Sequence, residues 1–259
     1  MNIKVVLEYD GAGFAGWQQQ PRRRTVEGEL RRALRELTGQ DLKVHAAGRT
    51  DAGAHALGQV VNFQLEEGIP AGRLAAALNA RLPEDVSALT AEPVPALFHA
   101  RYSARWRRYR YRYLDRPARS ALERGRCWRV GPLDECAMAE AARRLPGRHD
   151  WTSFCSRAEP SAGRVREMHH ASVRRRGQVV ELELVGEGFL RGLVRGVAGA
   201  LAEVGRGRRE PAWVGSVLAA RDRALAARTA PAGGLTLVEV GYGSWPGGRG
   251  RMVETADEL

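Results

Sequence analysis

Residues 107–114 read RRYRYRYL, and no other stretch limits the available folds so sharply. Successive side chains on a strand point to opposite faces. Tyr109, Tyr111 and Tyr113 therefore share one face, and Arg108, Arg110 and Arg112 the other. Such a strand fits two settings. It can lie in a sheet with its tyrosines in a core and its arginines in solvent. It can also form a nucleic-acid surface, because aromatic rings stack on bases and arginines hold phosphates. Either setting demands a sheet whose two faces differ.

The elements before it supply half of such a sheet. IKVVLEY near the start has the pattern of a buried strand. Thr25 is placed to cap a helix, with Glu27 and Glu29 in its first turn. Val26, Leu30, Ala33, Leu34 and Leu37 form that helix's apolar face, and Gly39 ends it. LKVHAAG and GQVVNFQL read as strands on either side of the loop GRTDAGAH. Pro70 opens a second helix carrying Leu74, Leu78 and Leu82, Pro83 stops it, and DVSALTAEPV is a further strand. The order strand, helix, strand, strand, helix, strand is the ferredoxin-like pattern, which leaves one sheet face free of helices.

The second half follows a similar order without a visible sequence repeat. After RYRYRYL come a helix over 136–145, a hairpin turning near Gly177, a helix over 189–204, a short helix over 213–220 and the strand GLTLVEVGY. The expectation is an α+β chain of two ferredoxin-like halves, residues 1–104 and 105–242. A Gly-rich, then acidic tail over 243–259 is expected to be mobile.

Charge narrows the partner class. The 259 residues carry a net charge of +11, and arginine dominates the surplus. Its planar guanidinium grips phosphate, so nucleic acid is the natural partner, although codon bias also enriches arginine. Cys127, Cys136 and Cys155 form no C-x-x-C pair, and adjacent His169 and His170 point to opposite faces of a strand, so a metal site is not expected. With no signal peptide and no segment long enough to span a membrane, a cytoplasmic location is expected.

Three motifs invite chemistry. GAGFAG, residues 11–16, matches G-x-G-x-x-G after a strand, but the helix that should open there to hold a pyrophosphate does not start until about Thr25. In GRTDAGAH, Gly48 and Gly53 permit tight turns and Ala52 and Ala54 remove bulk, so a large substrate can approach Asp51. Arg49 is near enough in sequence to favour the ionised carboxylate, which would serve as nucleophile or base. An Asx-turn with a surface ion pair fits the same pattern. His55 reads as a hydrogen-bonded loop histidine. On the helix from Phe189, Arg191 and Arg195 lie one turn apart, and Gly192, Gly196 and Ala200 recur at every fourth residue, which suggests close packing of another backbone.

Together YDG, GWQ, AGRTDAGAHA, GQVVNF, ALNARLP, FHARYSA, RRYRYRYL, DWTSF, FLRGLVRGVAGAL and APAGGLTLVEVGY resemble, in order, the tRNA pseudouridine synthase A family. The resemblance implies two similar α+β halves with joined sheets and a basic cleft between them. It implies a homodimer that binds tRNA and converts uridine to pseudouridine in the anticodon stem-loop, with no cofactor and no metal. By motif, Asp51 resembles the catalytic aspartate, Tyr109 the tyrosine that stacks on the target base, Arg195 the arginine paired with the aspartate, and Arg49 an arginine concerned with RNA handling. A non-catalytic RNA-binding dimer and an aspartate-dependent nucleoside hydrolase are the competing readings.

Overall fold

The computed structural model describes residues 1–66, 69–160 and 163–247. The first half runs β1 (Asn2–Tyr9), α1 (Val26–Thr38), β2 (His45–Ala46), β3 (His55–Gln64), α2 (Ala71–Asn79) and β4 (Val86–Pro93). The second runs β5 (Trp106–Leu114), β6 (Trp128–Arg129), α3 (Glu135–Ala142), β7 (Gly147–Asp150), β8 (Val165–Arg176), β9 (Val179–Gly186), α4 (Leu193–Gly205), α5 (Ala212–Ala220) and β10 (Leu235–Gly241). One sheet has the order β4-β1-β3-β10-β5-β9-β8-β7, with β2 on β3 and β6 on β5. Each half thus repeats the ferredoxin-like order, and the halves join where β10 runs parallel to β3 at Thr236–His55 and Leu237–Ala56.

Local chemistry explains most boundaries. The Thr25 hydroxyl accepts from Gly28 N–H to open α1, and Gly39 closes it at φ 71°. The β8–β9 hairpin turns at Gly177 with φ 57°. Four expected elements differ. The helix opened by Pro70 ends at Asn79, so Leu82 lies beyond it, and the helix expected over 136–145 ends at Ala142. LKVHAAG pairs only over His45–Ala46, because the chain leaves the sheet to form the Asp51 loop. The helix expected from Phe189 begins at Leu193, because Gly192 takes φ 77° as its N-cap.

The tyrosine–arginine alternation resolves in favour of the core. Tyr111 and Tyr113 are fully buried, and Tyr109 is 7% exposed. Their strand neighbours are Leu184, Leu182 and Val180 of β9. The Tyr113 hydroxyl donates to Ala198 O of α4 at 2.9 Å, and Tyr111 donates to Pro231 O at 2.8 Å. Tyr111 and Tyr113 therefore have no free face to stack on a base. The arginine side is not simply solvated: Arg112 makes a bidentate pair with Glu123 at 2.7 and 2.9 Å and also meets Glu181.

The helix-free face runs across both halves. Glu8, Leu57, Thr236, Arg110, Arg112 and Glu181 line one concavity on it, about 610 Å³ in volume. In the segment expected to be mobile, Trp245 packs edge-on against Trp106 with centroids 4.8 Å apart. Residues 248–259 lie outside the described residues. Among the described residues, no helix is long and apolar enough to cross a membrane.

Candidate active site

The GRTDAGAH loop connects β2 to β3 and is held from beneath. Tyr9 Oη and Thr50 Oγ1 share a hydrogen bond of 2.8 Å, and Gln59 Nε2 donates to Gly48 O at 2.7 Å. Trp17 N–H donates to Thr50 O at 3.1 Å. Asp51 is left half-buried between these anchored neighbours. The GAGFAG stretch is part of this support rather than a nucleotide site. A side chain on Gly11 would collide with Ala54 O, and one on Gly16 would come 2.9 Å from Thr50 O. Glycine is needed there because two backbones touch.

His55 completes the scaffold. Its Nδ1 accepts from Gly11 N–H at 3.1 Å, and Nε2 lies 2.9 Å from Gly125 O and 3.1 Å from Gly233 O. This partner set requires a proton on Nε2, which links the loop to two segments of the second half. The ring is structural, as its place in the sequence suggested.

Arg195, on the first turn of α4, reaches Asp51 from the other half. Its Nη1 donates to Asp51 Oδ2 at 2.5 Å, across 144 residues of chain. Its Nε donates to Ala230 O at 2.7 Å, so the guanidinium is aimed rather than merely nearby. Glycine lets this helix pack closely against neighbouring backbone of its own half. A Cβ on Gly196 would collide with Phe154 O, and one on Gly199 with Arg228 O. Close backbone packing was expected for the series Gly192, Gly196 and Ala200. Gly196 fulfils it and Gly199 shares it, whereas Gly192 serves as the N-cap.

The ion pair borders a cavity of about 900 Å³. Besides Asp51 and Arg195, its walls include Arg157, Arg191, Arg223 and Thr229. Arg157 and Arg191 form no ion pair among the described residues, and Arg223 is bonded only to Ala227 O and Thr229 Oγ1. The cavity is therefore anion-seeking, with one carboxylate in its wall. A carboxylate so placed can attack an electrophilic carbon or accept a proton from a bound substrate.

The other expected residues fall in different places. Tyr109 lies beneath the loop, where a Cβ on Gly48 would stand 3.5 Å from its hydroxyl, and its ring meets Phe189 edge-on at 4.8 Å. It does not line the cavity. Burial pushes its phenol up to about 12; Arg107 opposes that rise and the Asp51 charge adds to it. The hydroxyl stays protonated at neutral pH. Arg49 is exposed and forms no ion pair among the described residues, so the expected Arg49–Asp51 pair is replaced by Arg195–Asp51.

Sequence reasoning missed Arg157, Arg223 and Arg107. The first two sit in loops with no periodicity to mark them. Arg107 did carry a signal: it shares strand parity with the buried tyrosines, and an arginine on a core face needs a reason.

Comparison with known proteins places the chain in a family. A family model described as tRNA pseudouridine synthase matches residues 5–103 and 141–243. The tRNA pseudouridine synthase A of Geobacillus kaustophilus is 44% identical over 242 residues, covering 93% of this chain and 94% of its own. That of Moorella thermoacetica is 44% identical over 243 residues, with 93% and 99% covered. That of Bradyrhizobium diazoefficiens is 44% identical over 241 residues, with 92% and 98% covered. The paired ferredoxin-like halves, the carboxylate–arginine pair between them and these matches agree: the chain belongs to the tRNA pseudouridine synthase family and has the pseudouridine synthase fold.

Proposed function

We propose that this protein isomerises uridine to pseudouridine in the anticodon stem-loop of tRNA, with Asp51 as the catalytic group. The observation that carries the reading is the Asp51–Arg195 pair in the wall of a large cavity whose other charged lining residues are arginines, in a chain of this family. The reaction breaks the N1–C1′ bond, turns the uracil and joins C5 to C1′. The C5 proton is lost and N1 gains one, so atoms and charge balance without a redox partner. Asp51 can serve by attacking C1′, attacking C6 or removing the 2′-proton, and each use needs only its carboxylate. Arg195 holds that carboxylate in place until the base arrives.

The target base must leave its stack, at a cost of a few kcal/mol that is least in a loop. Tyr109 stacks on the extruded base, which requires the half-buried Phe189 at its edge to yield. The unpaired arginines of the cavity hold flanking phosphates, and Arg49 on the exposed loop contacts RNA nearby. The active form is a homodimer in the cytoplasm that binds one tRNA across both copies.

The test is nucleoside chromatography of an unmodified tRNA transcript after incubation with wild type or Asp51→Asn, because isomerisation leaves mass unchanged. Pseudouridine should appear with the wild type. It should fall by roughly a hundred- to ten-thousandfold or more with the variant, while tRNA binding persists. Turnover by Asp51→Asn at the wild-type rate would overturn the assignment. Equal tRNA binding by both proteins and no pseudouridine from either would favour a non-catalytic RNA binder, and free uracil would reveal a hydrolase.

A further inference from the structure

A second cluster of aromatic and basic side chains lies outside the cavity. The rings of His45 and His99 are 4.5 Å apart between centroids, and those of His99 and Tyr102 are 4.4 Å apart. The three form a continuous tilted stack that ends in Tyr102, 77% exposed. The Arg101 guanidinium lies 5.7 Å from the centre of the Tyr102 ring. Exposed Arg101 and Lys43 form no ion pair among the described residues.

This exposed turn is held rigidly. Asn2 Nδ2 donates to Phe98 O at 2.9 Å, and Ala100 N–H donates to Asn62 Oδ1 at 2.8 Å. The Tyr242 hydroxyl donates to Ala100 O at 3.0 Å. Two backbone amides, of Arg101 and Tyr102, point at His99 Nδ1. Burial lowers the His99 pKa, and the neighbouring His45, Arg101 and Lys43 lower it further, so the ring is neutral and free to stack at neutral pH. The buried Arg107 then ties the turn to the active loop. Its Nη2 donates both to Arg101 O at 2.8 Å and to Ala47 O at 3.1 Å. Ala47 precedes Asp51 by four residues, at most about 14 Å of extended chain.

The turn that carries this exposed ring is held by these bonds, and Arg107 joins it to the segment that leads into the Asp51 loop. A ring stack flanked by unneutralised cations is the chemistry that receives an unpaired nucleobase and its phosphates. We propose that the His45–His99–Tyr102 stack, with Lys43 and Arg101, is a docking platform for an unpaired nucleotide of the substrate RNA, outside the catalytic cavity. The inference rests on the tRNA reading above. It assigns the stack the task of positioning the RNA, with Arg107 as the residue that keeps platform and loop in register.

The test compares Tyr102→Ala, Tyr102→Phe and the double variant Lys43→Ala/Arg101→Ala with wild type. Binding of an unmodified tRNA transcript is measured by fluorescence anisotropy over a range of salt, and pseudouridine formation by chromatography. Tyr102→Ala should weaken Kd at least about fivefold and raise KM in step, with kcat altered less than either. Tyr102→Phe should restore both. The double variant should flatten the salt dependence by about 0.7 in log–log slope for each phosphate it no longer neutralises. Tyr102 is exposed, so melting temperatures should match wild type. Unchanged Kd and KM in Tyr102→Ala, with a wild type that makes pseudouridine, would overturn the platform and leave the function standing. A wild type that makes none would sink the function, and the binding arm would still decide whether the platform meets RNA. A change in sedimentation mass without a change in RNA affinity would assign the turn to a protein contact and overturn the proposal.

Discussion

The helix-free sheet face and the cavity are both rich in arginine, yet their electrostatics differ. On the sheet face Arg112 is clasped by Glu123 and Glu181, and Arg176 also approaches Glu181. Around the cavity, Arg157, Arg191 and Arg223 have no acidic partner among the described residues, and the one carboxylate that interrupts them is Asp51. The three β5 arginines of the sheet face, Arg108, Arg110 and Arg112, meet Glu239, Glu181 and Glu123 in turn. Around the cavity, by contrast, positive charge is left available for a polyanion. Net charge announces a class of partner, but only the placement of the acids says where that partner lands.

Substitutions put this contrast at risk. The largest effect should come from Arg195, the one cavity arginine that is paired. Arg195→Met leaves Asp51 without its partner and Ala230 O without its donor, and turnover should fall about a hundredfold, the scale of removing a charge-assisted hydrogen bond from a reacting site. A chromatographic assay that found wild-type kcat would show the pair to be structural.

The next effect concerns how α4, which carries Arg195, packs within the second half. Gly196→Ala forces a methyl into Phe154 O, and overpacking of about 1–3 kcal/mol should outweigh the helix-propensity gain of about 1 kcal/mol. Calorimetry should show a lower Tm. A raised Tm would mean the packing between α4 and residue 154 can relax.

Cavity and sheet-face arginines should then separate in a salt titration. Replacing Arg157, Arg191 and Arg223 by alanine should weaken tRNA binding and reduce the log–log salt slope by about 0.7–0.9 for each phosphate left without its arginine. Arg112→Ala should leave the slope alone and cost roughly 1 kcal/mol of stability, because its bidentate pair is only partly exposed. Equal slopes for the two variants would erase the distinction between the regions.

The smallest effect is in pH. Burial raises the Glu123 pKa, but the hydrogen bond and charge of Arg112 outweigh it, and the net pKa is lowered. A carboxylate with a depressed folded pKa contributes stability that is present above its unfolded value, about 4.3, and lost as pH falls through the folded value. Denaturation midpoints of wild type and Arg112→Ala should therefore differ at pH 7 and converge as pH falls through the lowered folded value. A gap that persisted in acid would mean Arg112 acts through packing.

Much of the scaffold was legible because it is local. The Thr25 cap, the Gly39 stop and the Gly177 turn each follow from a residue's own backbone preferences and its near neighbours. The tyrosine parity of β5 follows from the pleat. The Asp51 loop stood out for its small residues, which a close approach requires. Its partner was less plain: Arg195 is 144 residues away, the local pattern offered Arg49 beside the acid and Arg191 or Arg195 on the glycine-rich helix, and the family resemblance pointed to Arg195.

Two ferredoxin-like halves, a basic chain and a glycine-framed aspartate were written in the amino-acid order, because periodicity, caps and turn residues act over a few residues. Three further outcomes came from the folded arrangement: which arginines remain unpaired, that the RYRYRYL tyrosines are core rather than surface, and that Arg107 is a fastener. They depend on which carbonyls and carboxylates from distant segments arrive beside each side chain. A hydrogen bond or ion pair formed across a hundred residues leaves no periodic trace in the chain that makes it.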